Sequence, residues 1–150
     1  MRKGIGLHNM ISETRPKDFN PKFPAIGIYL MHEGKFLLMK FATKHGRKWS
    51  GPSGKVAKGE DPMDAAIRET FEETGIRINP EHLVFLFDAY VQYADYAFEW
   101  FAYRYELSEK PDVVLSVEHD EYRWVTPEEA LTYDLMQDED WCIRKTFGLK

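Results

Sequence analysis

The stretch that most constrains this chain runs from Gly54 to Ile76, GKVAKGEDPMDAAIRETFEETGI. It predicts one short helix. Asp61 suits an N-cap, Pro62 the first helical position, where a missing N–H costs nothing, and Asp64 the positive end of the dipole. Ala65, Ala66, Ile67, Thr70 and Phe71 carry the body, and Gly75 is a C-terminal stop. Spacings of three and four residues return Glu69, Glu72 and Glu73 to one side of that helix. Like charges so placed cost roughly 0.2–0.5 kcal/mol per pair. A solvated acidic face is the bland explanation, but such a face normally intersperses Lys, and here the only base in the helix is Arg68. Clustered hard oxygen donors without matching bases suit Mg²⁺. Spacing alone leaves both explanations open.

The rest of the chain sets bounds. A length of 150 residues makes one domain with room for a core. The net charge of −5 suggests no general affinity for polyanions, although a metal ion can neutralise a nucleotide's phosphates locally. The single Cys142 excludes an internal disulfide and a Cys-based zinc site. The first residues, MRKGIGLHNMISETRPKDF, are too polar and broken for a signal peptide or a membrane span, so the expected location is the cytoplasm.

Residues 1–24, with Pro16, Pro21 and Pro24, form an expected N-terminal extension, and residues 25–150 the domain proper. Two apolar runs, Ala25–Met31 and Lys35–Phe41, flank His32-Glu33-Gly34 as a hairpin. Residues 42–53 are expected as a loop carrying Lys44, His45, Arg47, Lys48 and Trp49. Strands are expected at Leu83–Tyr93, Phe98–Leu107 and Tyr122–Val125. Thr126-Pro127-Glu128-Glu129 opens a further helix, and a last one lies between Asp138 and Phe147. Strands on both sides of one central helix, with helices at the end, predict an α/β fold with a mixed sheet between helical layers.

Gly54, Glu60, Arg68-Glu69, Glu72-Glu73 and Gly75-Ile76 together resemble the signature box of the Nudix hydrolases, with Thr70 standing where that family usually has an aliphatic residue. The resemblance implies an α/β/α sandwich and hydrolysis of a nucleoside diphosphate linked to another moiety, with Mg²⁺ as cofactor and Mn²⁺ as the alternative. It implies metal ligation by Glu69, Glu72, Glu73 and the Gly54 carbonyl, and a brace between Arg68 and Glu60. For the general base it allows a box glutamate or a carboxylate from a later loop, and this chain offers Glu118 in Val117-Glu118-His119-Asp120, which is also in reach of the metal. The expected catalytic residues are therefore Glu72, Glu69 and Glu118. His119 is either a base, a phosphate contact or a structural loop residue.

Lys48 to Val56, Glu99-Trp100-Phe101-Ala102, and Leu115 to His119 with Tyr122-Arg123-Trp124-Val125 resemble the asymmetrical diadenosine tetraphosphate hydrolases within that family. Ser53 stands where that branch usually has a Lys. Lys55 and Lys48 are expected phosphate contacts, and Trp49 is either a base platform or a core plug. The leading expectation is a pyrophosphohydrolase on a nucleotide such as diadenosine tetraphosphate, giving ATP and AMP. Its alternatives are cleavage of a nucleoside or pterin triphosphate to monophosphate and pyrophosphate, and a Nudix module that binds nucleotides without turnover. The acidic balance counts against nucleic acid as a partner. No membrane partner is expected, and a homodimer is left open.

Overall fold

The computed structural model describes residues 9–150. It contains eight strands and three helices: β1 (Ile11–Ser12), β2 (Phe23–His32), β3 (Lys35–Phe41), β4 (Trp49–Ser50), β5 (Ser53–Lys55), α1 (Pro62–Thr74), β6 (Val84–Gln92), β7 (Ala97–Glu106), β8 (His119–Val125), α2 (Pro127–Ala130) and α3 (Glu139–Phe147). Of the expected N-terminal extension, residues 1–8 lie outside the described residues, and Ile11–Ser12 pair antiparallel with Val91 and Tyr90.

The expected hairpin forms, with Glu33 and Gly34 both at positive φ, the backbone that a two-residue turn between twisted strands requires. Its strands part almost at once. β2 pairs with β3 only at Met31↔Phe36 and His32↔Lys35. Beyond the turn, β2 runs parallel to β7 from Phe23↔Phe98 to Met31↔Glu106, while β3 turns to β8 and β4. The split leaves inner edges that need partners, because unpaired backbone groups inside a protein are costly. Residues 49–55 fill them. Ser50 and Trp49 pair with Met39 and Lys40, the Ile28 amide donates to the Pro52 carbonyl at 3.0 Å, and Ser53–Lys55 pair with Gly27–Ala25. The expected loop 42–53 is thus corrected: its second half is sheet. β8 likewise starts three residues earlier than expected, at His119, which pairs with Phe41.

Side chains alternate between two cores on the two faces of the sheet. Ile26, Ile28 and Leu30 of β2 and Leu37 and Met39 of β3 meet Ala65 and Ala66 of α1. Tyr29, Met31, Phe36 and Leu38 point the other way, to Cys142 and Ile143 of α3. The result is a helix–sheet–helix sandwich with a mixed sheet. The cap of α1 is as expected: the Asp61 side chain accepts from the Met63 amide, and Gly75 closes the helix at φ 76°. Thr126 and Glu129 form a reciprocal capping box on α2, which is only one turn long.

One glycine has no room for a side chain. A Cβ on Gly27 would lie 2.1 Å from Trp100 Cζ2, so the indole on neighbouring β7 packs on the bare backbone of β2. Gly27→Ala is expected to destabilise the protein by about 1–3 kcal/mol through overpacking. A second change, Trp100→Leu, should recover part of that loss in a double-mutant cycle of urea unfolding.

Candidate active site

The loop before α1 and the exposed side of α1 are joined by one guanidinium. Arg68 Nε and Nη2 donate to Glu60 Oε2 and Oε1, both at 2.9 Å, and Nη2 also donates to the Lys55 carbonyl at 3.1 Å. Nη1 donates to Glu69 Oε2 and Glu72 Oε1, each at 3.2 Å. Arginine has five N–H donors in a fixed fork, and these bonds employ all of them. The Arg68 fork, with the Ala57 amide second, holds the Glu60 carboxyl down at about 2.

Next to this brace, four carboxylates from two parts of the chain approach one another. Glu73 sits behind the row, 6% exposed, and accepts the Ser53 amide at 3.1 Å. Burial pushes its carboxyl up to about 8 against the pull of that amide, and Glu69, Glu118 and Glu72 push the same way. Glu69 is raised too, by burial first, with Arg68 opposing and Glu72 and Glu118 adding. Glu118 comes from the loop ahead of β8. Its backbone carbonyl accepts the Ala42 amide at 2.8 Å, and its carboxylate lies 3.9 Å from Lys44 Nζ. Gly54 is a cradle: a Cβ there would sit 2.2 Å from Glu69 Cδ, so only glycine lets that carboxylate lie against β5. Mutually repelling, partly desolvated oxygen donors around a bare backbone fit a hard divalent cation.

Among the described residues, Glu73, Glu118 and His119 bring together three ligand atoms that all lie within 4.8 Å of one another. His119 was ambiguous in sequence because an Glu-His pair reads as loop. It is 4% exposed, and burial lowers its pKa against the opposing effect of Glu118 and Asp120. Early pairing of β8 with Phe41 is what turns it inward, a long-range effect that no local pattern signals.

The other candidates lie apart. Lys55 rests its ammonium over the Phe23 ring at 4.4 Å, near the entry to the brace. Lys48 Nζ is 3.4 Å from Asp134, in the segment between α2 and α3. Trp49 is 8% exposed and packs edge-on against Tyr133 at 5.0 Å, so of its two expected places it takes that of the core plug. Neither Lys48 nor Trp49 lines the cavity that opens beside Ser53. That cavity, of about 150 Å³, lies between Phe41, His45, Tyr93, Phe98 and Trp100, with Asp138 and Glu139 also at its wall. Burial, opposed by the Tyr29 hydroxyl, pushes the Glu139 carboxyl up to about 7. Ser53 belongs both to this cavity and, through its amide, to Glu73. No helix among the described residues is long and apolar enough to cross a membrane.

Comparison with known proteins agrees with this geometry. The family model described as NUDIX domain matches residues 21–146. An RNA pyrophosphohydrolase of Cereibacter sphaeroides is 30% identical over 130 residues, covering 74% of this chain and 80% of the relative. An RNA pyrophosphohydrolase of Roseobacter denitrificans is 42% identical over 62 residues, where the match spans 41% of this chain and only 38% of the relative's length. Among solved structures, an Ap4A hydrolase of C. elegans in a binary complex superposes with a TM-score of 0.66 at 27% identity, covering 83% of this chain and 96% of that one.

The brace has a pH signature. Because the Glu60 carboxyl titrates at about 2 in the folded chain and at its ordinary 4.5 when unfolded, its bond to Arg68 stabilises the fold above pH 4.5. That contribution is lost as the pH falls towards 2. Glu60→Gln is expected to lower stability at pH 7 and to flatten the decline between pH 4.5 and 2. Urea unfolding across that window checks it; an acid limb as steep as that of the unmodified protein would show that the brace adds nothing.

Proposed function

The chain belongs to the NUDIX domain family, and from that premise we propose that it is a metal-dependent pyrophosphohydrolase acting on a nucleotide. The observation that carries this reading is the convergence of Glu69, Glu72, Glu73 and Glu118 beside the Gly54 cradle, with Glu73 buried and paired with no base among the described residues. Glu69, Glu72, Glu73, Glu118 and the Gly54 carbonyl are the residues that would hold Mg²⁺ or Mn²⁺. The ion's chemistry there is neutralisation of phosphate oxygens and delivery of a water at neutral pH.

The chain's own side chains supply the remainder. Glu118 stands on the loop ahead of β8, with Lys44 Nζ 3.9 Å from its carboxylate, and is the group to accept a proton from water attacking phosphorus. Arg68 fixes the rotamers of Glu69 and Glu72, so that the acidic face is preorganised. Lys55, whose ammonium rests over Phe23, is the residue proposed to meet a phosphate oxygen. The aromatic cavity beyond Ser53 takes the non-phosphate moiety, between Phe41, Tyr93 and Trp100, and Ser53 brings the two regions one residue apart.

For the substrate, the reading is a dinucleoside polyphosphate such as diadenosine tetraphosphate, supported by the signatures around Lys48–Val56 and Leu115–Val125 and by the likeness to the C. elegans Ap4A hydrolase. A second reading, the 5′-phosphorylated end of RNA, is favoured by the names of the curated relatives. The net charge of −5 weighs against it, because RNA binding draws most of its affinity from cationic contacts to phosphates.

The test is a Mg²⁺ assay with chromatographic products on diadenosine tetraphosphate, nucleoside and pterin triphosphates, and a 5′-triphosphorylated oligoribonucleotide. ATP plus AMP with the others spared is the expected result. Monophosphate plus pyrophosphate from a triphosphate, or pyrophosphate from the RNA, would reassign the substrate. Chelation should abolish turnover. Glu72→Gln and Glu73→Gln should each lower kcat/KM about 100-fold or more, and Glu118→Gln at least about tenfold. Unchanged Mg²⁺-dependent turnover in the Glu72 and Glu73 variants would refute the metal site.

A further inference from the structure

We infer that His119 is a nitrogen ligand to a divalent cation, in a position completed by Glu73 and Glu118 and separate from the all-oxygen side at Glu69 and Glu72. The inference rests on the reading of the carboxylate cluster as a metal site and adds to it a donor of a different chemical kind. Three observations carry it.

The first is distance. Ligand atoms of Glu73, Glu118 and His119 lie within 4.8 Å of one another. Three donors spread evenly about 2.0–2.2 Å from one ion stand roughly 3.5–3.8 Å apart, so a closing of at most about 1 Å brings all three onto a shared centre. The second is want of partners. His119 is 4% exposed, and neither Nδ1 nor Nε2 has a hydrogen-bond partner among the described residues. Buried polar side chains are nearly always bonded, and a bound cation would give one nitrogen of this imidazole the partner it lacks beside two carboxylates. The third is support. The His119 ring lies against Phe41 with centroids 4.5 Å apart, and its amide donates to the Ser116 carbonyl at 3.3 Å. The Glu118 carbonyl beside it is tied to Ala42, and β8 meets β3 here at a register shift that turns the ring inward. A ring held from behind by an aromatic and from both sides by backbone is placed as a ligand, with little entropy left to lose.

Imidazole changes which ion this position takes. Mg²⁺ prefers oxygen donors alone, whereas Mn²⁺, Co²⁺ and Zn²⁺ accept a nitrogen. The Glu73–Glu118–His119 position is therefore a transition-metal position, while the face at Glu69 and Glu72 suits Mg²⁺. A chain so built responds to Mn²⁺ at concentrations well below those of Mg²⁺.

The experiment is Mn²⁺ binding to the full chain followed by electron paramagnetic resonance, with pulsed detection of nitrogen modulation. Wild type is expected to show strong ¹⁴N modulation that changes to the ¹⁵N pattern when only its histidines are labelled. His119→Gln should lose that modulation and bind Mn²⁺ at least about tenfold more weakly, with Mg²⁺ affinity altered less than about twofold. His45→Ala, the neighbouring histidine, should retain the signal. If His119→Gln does not fold, the label exchange together with the His45 variant decides the matter. Bound Mn²⁺ without histidine nitrogen coupling, in a chain whose Mn²⁺ affinity still falls in Glu72→Gln, would overturn the His119 assignment and leave the carboxylate site standing. No Mn²⁺ binding at all would overturn both.

Discussion

The candidate site depends on the guanidinium of Arg68. Among the described residues it is the one cation bonded to Glu60, Glu69 and Glu72, and it also grips the carbonyl of Lys55. Without it the loop before α1 would lose its tie to the helix, and two glutamates would repel each other with nothing to orient them. The fork does not reach Glu73, which lies deeper and, among the described residues, has the Ser53 amide as its bonded partner. The charge of the cluster is thus balanced on one side and left open on the other. The open side is where a cation would enter, and the arrangement costs the metal-free fold some stability in exchange for readiness to bind.

The sheet supplies the second constraint. Because β2 and β3 separate after two residue pairs, the segment 49–55 is drawn into the split and stitched to both strands. That stitching carries Ser53 and Gly54 to the top of α1 in extended form. Gly54 has no Cβ to keep Glu69 away, and the Ser53 amide is aimed at Glu73. The other side of the site comes from β8, whose pairing with β3 brings Glu118 and His119 to the same place. Ser53 and Gly54 are thus held by backbone bonds to β2 and His119 by its pairing with β3, and the aromatic cavity opens beside Ser53.

What was legible in the sequence was local. Asp61, Pro62 and Gly75 mark the ends of α1, and the spacing of Glu69, Glu72 and Glu73 sets its acidic side, because helix chemistry acts over a few residues. The hairpin at Glu33-Gly34 and the long strands β6 and β7 were equally plain. Residues 49–55 read as a loop because Gly51, Pro52 and Gly54 are turn formers, and their strand character comes only from edges opened by a distant split. The burial of His119 was hidden for the same reason: it depends on Phe41, 78 positions earlier along the chain, whereas Glu118 beside it was legible as a candidate base. Trp49 could be placed only by its contact with Tyr133, in a part of the chain with no local relation to it.

If Glu69, Glu72, Glu73 and Glu118 together hold a divalent cation, its binding must show in the stability of the fold. The most direct measurement is thermal unfolding of the full chain stripped with chelator, repeated with Mg²⁺ and with potassium chloride at the same ionic strength. At a Mg²⁺ concentration 100 times the dissociation constant, binding adds about 2.7 kcal/mol, which raises Tm by roughly 5–10 °C in a chain of this size. That rise is expected with Mg²⁺ and not with potassium. Equal melting curves in the three conditions would contradict it.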